Sequence, residues 1–213
     1  MPRHAFIVGG TGQIGRAVAG DLLEHGWRVT VSHRGNRPVP SDLIERGVKV
    51  VIFDREKPGE LGRVLASGAD ALIDTIAFHS GHAHQLIEVQ DKVGTFVVIS
   101  SSSVYRDALG RTLDEASENG FPELPVPISE TQPTVDPGPT TYSTRKIALE
   151  RTLFDDAARP VTVLRPGPIH GPGSRAPREW WFVKRILTVG RSYLSLIGVR
   201  AASIRLPSQT LPR

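Results

Sequence analysis

The sequence predicts an α/β protein with a doubly wound parallel sheet and helices on both faces. Short β-branched runs alternate with helical patterns from Ala5 to Ala77, beginning with AFIV, QIGRAVAGDLLEHG and WRVTVSH. These runs are almost continuously apolar, as strands buried on both faces are. The later segments TFVVIS, TTYSTRKIALERTLFDDA and PVTVLRP repeat the alternation. About six parallel strands are expected, joined by right-handed crossovers.

Length and composition are those of a globular protein with one domain of this kind. The chain has 213 residues, of which 39% are hydrophobic and 23% are charged. This length suffices for one complete α/β domain, and a second full domain is not expected. The composition excludes the disordered, collagen-like and coiled-coil classes. The absence of cysteine excludes disulfides, thiolate metal ligands and cysteine nucleophiles.

Both ends of the chain bear on localisation and partners. No apolar run is long enough to cross a bilayer, and a first strand starting at Ala5 leaves no room for a signal peptide, so we expect a cytoplasmic protein with no membrane partner. The formal net charge of +4 is local, because no acid follows Glu179 and the chain nets −2 without its last cations. A short basic end is typical of a solvated terminus, and nucleic acid is not an expected partner. The six cations that follow Glu179 are Lys184, Arg185, Arg191, Arg200, Arg205 and Arg213.

A glycine-rich turn joins the first predicted strand to the first predicted helix. In GGTGQIG, Gly9, Gly12 and Gly15 follow GxxGxxG spacing, with Gln13 and Ile14 opening the helix. Such glycines allow a tight turn and a close approach of the backbone to a pyrophosphate, which the helix N-terminus attracts. Because a strand precedes the motif and a helix and a second strand follow it, we predict a Rossmann-like dinucleotide site at these five residues rather than a purely structural turn.

The first predicted helix has a regular apolar face. Ile14, Val18 and Leu22 recur at four-residue spacing, and Gly26 stands where a helix-ending glycine belongs. We therefore predict that these three apolar side chains form the face that packs on the sheet.

The end of the second strand bears on which nicotinamide cofactor is bound. An acid at this position accepts the ribose 2′-hydroxyl of NAD, whereas an arginine accommodates the 2′-phosphate of NADP. The sequence there is SHRG, in which Arg34 has His33 and Arg37 nearby and no acid is present. We predict NADP in preference to NAD, the alternative being that Arg34 is a solvated loop residue. Asp54, after the third strand, is a candidate acceptor for the adenine amino group or a cap for the following turn.

A tyrosine and a lysine lie at a spacing suited to proton transfer. Tyr142 and Lys146 are four residues apart in a predicted helix, so their side chains share one face. An ammonium close to a phenol favours the phenolate, which suits a group that exchanges a proton with a carbonyl oxygen. The alternative is an ordinary surface pair.

Several hydroxyls end the strand that precedes this helix. The segment ISSSSVY delivers them to the carboxyl edge of the sheet, where open α/β folds bind ligands. A serine there can orient a reacting oxygen, or it can satisfy backbone groups of a turn. The segment from Asp107 to Pro139 is rich in proline and lacks periodicity, and a loop of this length is typically functional. A histidine group at positions 79, 82 and 84 has no carboxylate at a recognised metal-ligand spacing, and no metal site is predicted.

The ordered set GGTGQIG, ISSSSVY, SETQPTVDPGPTTYSTRK and LRPGPIHGPG resembles the extended short-chain dehydrogenase/reductase family, also called NAD-dependent epimerase/dehydratases. The resemblance implies that Tyr142 is the acid/base, that Lys146 supports it and contacts the cofactor, and that Ser101 is the catalytic serine, with Ser102 as the fallback. It also implies that the segment beginning at Pro166 passes the nicotinamide.

The resemblance further implies an NAD(P)-dependent oxidoreductase or epimerase/dehydratase that interconverts a carbonyl and an alcohol. Nucleotide sugars are the commonest substrates of the family, and its members are often homodimers. The similarity fades after Leu187, which predicts a binding domain over residues 1–187, a basic tail over 188–213 and an incomplete substrate region. The alternative function is that of a non-catalytic dinucleotide-binding or regulatory protein.

Overall fold

The computed structural model describes residues 1–174 and 178–189 of the chain. The chain divides into two compact units, Met1–Pro168 and a second that begins at Ile169. The boundary predicted after Leu187 remains a prediction, since residues 190–213 of the predicted tail lie outside the described residues. None of the helices within the described ranges has the length and apolar character needed to cross a membrane.

The first unit is built on a single parallel sheet of six strands in the order β3-β2-β1-β4-β5-β6. The central strand β1 pairs on one side with β2, where Ala5 faces Val29, and on the other with β4, where Ala5 faces Ala71. The predicted doubly wound sheet is confirmed. The strands are β1 (His4–Val8), β2 (Arg28–His33), β3 (Lys49–Ile52), β4 (Ala69–Asp74), β5 (Val93–Ile99) and β6 (Val161–Leu164).

Helices cover both faces of the sheet, as predicted. Alternate residues of β1 point to opposite faces, so Phe6 packs in a core with α3, α4 and α6, while Ile7 packs in a second core with α1 and α2. The helices of this unit are α1 (Gln13–Glu24), α2 (Ser41–Glu45), α3 (Glu60–Val64), α4 (Ser80–Ile87), α5 (Ala116–Asn119) and α6 (Tyr142–Asp156).

Helix α1 packs on the sheet through a slightly different face from the one predicted. Gly15 and Ala19 are its buried residues, and Val18 and Leu22 pack beside them. Ile14 is only half-buried and takes no part in that core, whereas Gly15 packs so closely on the preceding turn that an added Cβ would lie 2.5 Å from Gly9 O. The predicted end at Gly26 is confirmed by its left-handed φ of 74°.

The proline-rich loop is organised around one buried carboxylate. Asp107 accepts hydrogen bonds from the backbone N–H groups of Leu109, Arg111 and Glu123, and its Oδ2 lies 2.7 Å from Arg111 Nε. Burial raises the pKa of Asp107, but the donors from Glu123 and Arg111 outweigh it and lower the pKa to about 2. The loop is therefore a hydrogen-bonded structure around an ionised carboxylate.

The described part of the second unit contains helix α7 (Arg178–Val189). Glu179, in its first turn, accepts a hydrogen bond from Gly171 N at 2.8 Å and lies 2.9 Å from Nδ1 of His170. A carboxylate in the first turn also interacts favourably with the positive end of the helix dipole, so Glu179 stabilises the start of α7.

Candidate active site

The glycine-rich turn is held against β2 and packed too tightly for side chains. Gly9 has a φ of 85°, and the N–H groups of Gly9 and Gly10 both donate to Ser32 O. A Cβ at Gly10 would lie 2.3 Å from Val31 Cβ, and one at Gly15 would lie 2.5 Å from Gly9 O. Gly10 was not predicted as a site residue, although the doubled glycine at the start of the motif was the available signal.

The start of α1 fits a diphosphate. Gly12 is the N-cap in an extended conformation, and no acidic residue follows in the first turn. The N–H groups of Gln13, Ile14 and Gly15 therefore lie in the first turn of α1, at the positive end of the helix dipole, where an anion is stabilised. A Cβ at Gly12 would approach Gly9 O only to 3.3 Å, so Gly12 is needed less for packing than Gly15 is.

A cleft of about 200 Å³ opens beside this turn, and we call it the glycine cleft. Arg34 and Arg37, after β2, line it together with Gly12 and the buried Arg55. Neither Arg34 nor Arg37 has an ion-pair partner in the described parts of the chain. Two unpaired guanidinium groups at its rim make the glycine cleft suited to an anionic ligand.

Asp54 performs the structural task that was one of its two predicted roles. Its Oδ1 accepts a hydrogen bond from Glu56 N at 3.2 Å and so caps the turn after β3. Asp54 is not among the residues that line the glycine cleft. A contact between Asp54 and an adenine amino group remains a prediction.

Tyr142 is the first residue of helix α6, and Lys146 lies one turn further along it, as predicted. Lys146 is 5% exposed, and its Nζ donates to Ala77 O at 2.6 Å and to Ile99 O at 3.0 Å. Tyr142 is 46% exposed, and the centroid of its ring lies 5.7 Å from Lys146 Nζ. We call this arrangement, including the two carbonyl groups, the lysine site.

The lysine site is electrostatically unusual. Burial lowers the pKa of the Lys146 ammonium from its ordinary value of 10.5 to about 8. The carboxylates of Asp74 and Glu150 oppose this effect, and the guanidinium of Arg55 adds to it. A lysine whose pKa burial lowers to about 8, beside a half-exposed tyrosine, is typical of a proton-transfer site.

The serine turn lies against the start of α6. Ser101 Oγ accepts a hydrogen bond from Ser103 N at 3.2 Å, which caps a 3₁₀ turn and leaves its own O–H able to donate elsewhere. Ser143 Oγ donates to Ser103 O at 2.9 Å. Ser102 N donates to Pro166 O at 2.9 Å. The fold therefore brings the predicted serines and Pro166 together beside the first turn of α6.

An ion pair between Glu150 and Arg165, next to the serine turn, was not predicted. Glu150 is fully buried, pairs with Arg165 at 2.5 Å and is hydrogen-bonded to Ser100 Oγ. Arg165 Nη1 also donates to Tyr105 Oη at 3.3 Å. The sequence offered a signal for Glu150 alone: it lies four residues after Lys146, on the same face of the predicted helix.

The histidine group contains one buried member. His82 Nδ1 accepts a hydrogen bond from Phe78 N at 3.0 Å, and its Nε2 lies 3.2 Å from Glu56 Oε1. Burial, with the charges of Arg55 and His79, lowers the pKa of His82 to about 4. Across residues 1–174 and 178–189, no three His, Cys, Asp or Glu side chains form a potential metal site.

Comparisons with known proteins agree with this fold. The model of the NAD-dependent epimerase/dehydratase family matches residues 5–192. The Bordetella bronchiseptica enzyme WbmG in complex with NAD is 20% identical, with a TM-score of 0.66 and a match that covers 88% of this chain and 60% of that one. Helicobacter pylori ADP-L-glycero-D-manno-heptose-6-epimerase is 18% identical, with a TM-score of 0.62 over 88% and 64%.

A third similar structure is MoeE5 in complex with UDP-glucose and NAD, which is 23% identical, with a TM-score of 0.60 over 88% of this chain and 62% of that one. The chain thus spans about three-fifths of the length of these solved relatives. No match was found among curated proteins. Since the family model covers most of the sequence, including the glycine-rich turn and the lysine site, the chain belongs to the NAD-dependent epimerase/dehydratase family.

Proposed function

We propose that the protein is an NAD(P)-dependent epimerase/dehydratase or oxidoreductase that interconverts a carbonyl and an alcohol. The observation that carries the proposal is the lysine site, in which a buried ammonium held by two carbonyl groups lies beside the exposed Tyr142 ring. The family supports the same function, and the glycine-rich turn supports its need for a dinucleotide.

Each residue of the site has a part in this proposal. Tyr142 exchanges a proton with the substrate oxygen through its hydroxyl, and the Lys146 ammonium stabilises the phenolate that results. Ser101 donates its O–H to the same substrate oxygen and so orients it. When bound, the nicotinamide accepts or donates the hydride that the reaction requires.

The glycine cleft would hold the dinucleotide. The N–H groups of Gln13, Ile14 and Gly15 would meet the diphosphate, since they lie at the positive end of α1. Arg34 and Arg37 favour NADP over NAD, because an unpaired guanidinium suits a 2′-phosphate. WbmG and MoeE5 are described with NAD, so NAD is the competing cofactor.

The substrate class that we propose is a nucleotide sugar. MoeE5 is described with UDP-glucose, and the Helicobacter pylori relative is described as a heptose epimerase. A homodimer is proposed from the family alone.

Incubation with a panel of nucleotide sugars that includes UDP-glucose, and with either cofactor, tests the proposal. The sugar would be followed by NMR and the nicotinamide by its near-ultraviolet absorbance. Tyr142→Phe should lower turnover by about 10²-fold to 10⁴-fold, the range typical of a general acid/base, and should leave cofactor affinity unchanged. If wild type and variant both bind the cofactor but neither turns over any nucleotide sugar, the catalytic proposal is wrong. That outcome would support the alternative, a non-catalytic dinucleotide-binding protein.

A further inference from the structure

Two backbone carbonyl groups determine where the Lys146 ammonium lies. Nζ donates to Ala77 O at 2.6 Å and to Ile99 O at 3.0 Å. An ammonium has three N–H donors, so one remains for a ligand or for the face of the Tyr142 ring. Any residue that orients one of these carbonyl groups therefore orients Lys146.

Asp74, the last residue of β4, shapes the loop that carries one of the two carbonyl groups. Asp74 is fully buried, and its Oδ1 accepts hydrogen bonds from Ile76 N at 2.9 Å and Ala77 N at 2.8 Å. The two N–H groups that precede the Ala77 carbonyl in the chain therefore both donate to the same oxygen of Asp74. This turn leaves Ala77 O facing α6, where Lys146 meets it.

The second oxygen of Asp74 is held by an arginine. Oδ2 lies 2.8 Å from Nη1 of Arg55, which is 5% exposed and also donates to Gln85 Oε1 at 3.2 Å from Nη2. Gln85 in turn donates from Nε2 to Arg55 O at 2.8 Å. A buried ion pair persists only when its remaining polar atoms are satisfied in this way. This pair was not predicted, because its members are distant along the chain.

The charges that face Lys146 come from three elements. Asp74 ends β4, Arg55 follows β3, and Glu150 lies one turn further along α6. The two carboxylates favour the charged form of Lys146 and the guanidinium disfavours it, while burial has the largest effect. Asp74 therefore acts on Lys146 in two ways. Its hydrogen bonds hold the loop that carries the Ala77 carbonyl, and its negative charge favours the ammonium form of Lys146.

We propose that Asp74 is a positioning residue for Lys146, which it holds by fixing the loop whose Ala77 carbonyl accepts the Lys146 hydrogen bond. The catalytic meaning of this role rests on the proposed function, whereas the contact itself does not. Arg55 supports the role by keeping the carboxylate paired, and Arg55 also lines the glycine cleft.

The test is the titration midpoint of the Lys146 amine, measured by competitive acetic anhydride labelling across alkaline pH and mass spectrometry of the Lys146 peptide, with no cofactor present. Asp74→Asn should lower the midpoint by about one pH unit, because the ammonium loses an opposite charge and its held acceptor. Arg55→Gln should instead raise the midpoint, because a like charge is removed while the carboxylate remains.

Asp107→Asn is the matched control. Asp107 is also a buried carboxylate that holds loop N–H groups and pairs with an arginine, Arg111, but it has no contact with Lys146. Its substitution should weaken the fold without moving the Lys146 midpoint. An unchanged midpoint in folded Asp74→Asn, or an equal shift in Asp107→Asn, would overturn the proposal. If Asp74→Asn does not fold, Asp74→Glu decides, because it keeps the charge but moves the carboxylate relative to the N–H groups of Ile76 and Ala77; an unchanged Lys146 midpoint in that variant would overturn the proposal. Failure to bind NADH or NADPH would count against the proposed function alone.

Discussion

The glycine cleft and the lysine site lie in the same unit, yet they are built in opposite ways. The glycine cleft depends on the absence of side chains, and the two arginines at its rim, Arg34 and Arg37, have no ion-pair partner among the residues that the structure describes. The lysine site depends on side chains that are buried and paired, since Asp74 has Arg55 and Glu150 has Arg165. The cleft is open to an anion, whereas the lysine site is organised before any ligand arrives.

This difference matches what each region would have to do. A cleft that receives a charged ligand gains from unpaired cations, which a bound phosphate can neutralise. A group that moves protons gains from fixed neighbours, because electrostatic preorganisation lowers the cost of reaching the transition state. The comparison predicts that substitutions at the lysine site affect rate and stability strongly, while those at the cleft rim affect cofactor choice.

The largest effect is expected from the lysine itself. Lys146→Met should lower turnover by about 10²-fold to 10⁴-fold, because the phenolate of Tyr142 loses its nearby cation. Lys92→Met is the control, since Lys92 donates to Gly62 O well away from the site and its loss should leave turnover unchanged. Steady-state rates with cofactor and nucleotide sugar give the measurement. Similar losses in both variants would contradict the special role of Lys146.

A loss of stability is expected from breaking the ion pair next to the serine turn. Glu150→Gln should lower the free energy of unfolding by about 3 kcal/mol, because Arg165 loses a buried partner. Glu60→Gln removes one member of an exposed pair, Glu60–Arg63, and should have little effect. Urea denaturation of the three proteins provides the comparison. Equal stability of wild type and Glu150→Gln would show that the lysine site is not supported by this pair.

Lys146 should also make stability depend on pH. Its pKa is about 8 in the folded protein and 10.5 when unfolded, so between these values the unfolded chain binds more protons. The free energy of unfolding should therefore rise with pH across this window, by about 3 kcal/mol for this group. Denaturation at several alkaline pH values should show the rise in wild type and not in Lys146→Met. An equal rise in both would assign it to another group.

The last two glycines of the motif, Gly12 and Gly15, should separate ligand binding from packing. Gly15→Ala should destabilise the protein by about 2 kcal/mol, because its Cβ would overlap the backbone. Gly12→Ala should cost less, since Gly12 has more room. Thermal unfolding measures both. A larger loss in Gly12→Ala would contradict the geometry of the turn.

The smallest effect is expected at the rim of the glycine cleft. Arg34→Ala should weaken NADPH binding by about tenfold, since one charged hydrogen bond to the 2′-phosphate is lost, and should leave NADH binding nearly unchanged. Binding isotherms for both cofactors in wild type and variant provide the measurement. Equal losses for NADPH and NADH would indicate that Arg34 does not distinguish them.

The sequence predicted the parts of the molecule that depend on local patterns. The sheet follows from apolar runs, and the glycine-rich turn and the Tyr142–Lys146 pair follow from short spacings. The buried pairs were missed because partners such as Arg55 and Asp74, separated by 19 residues, meet only when the sheet assembles. The buried face of α1 differs from the predicted one, because the close packing of Gly15 on the glycine-rich turn is a tertiary contact that the apolar periodicity does not show.

The most direct test of the whole account is a fluorescence titration of the purified protein with NADPH and with NADH. Gly12→Asp should abolish binding while leaving the fold intact, because Gly12 lines the cleft and its added carboxylate would repel the diphosphate. Gly20→Asp, on the same helix but away from the cleft, is the control and should bind as wild type does. The account predicts saturable binding, tighter for NADPH, that is lost only in Gly12→Asp. Absence of binding in wild type, or binding that survives in Gly12→Asp, would contradict it.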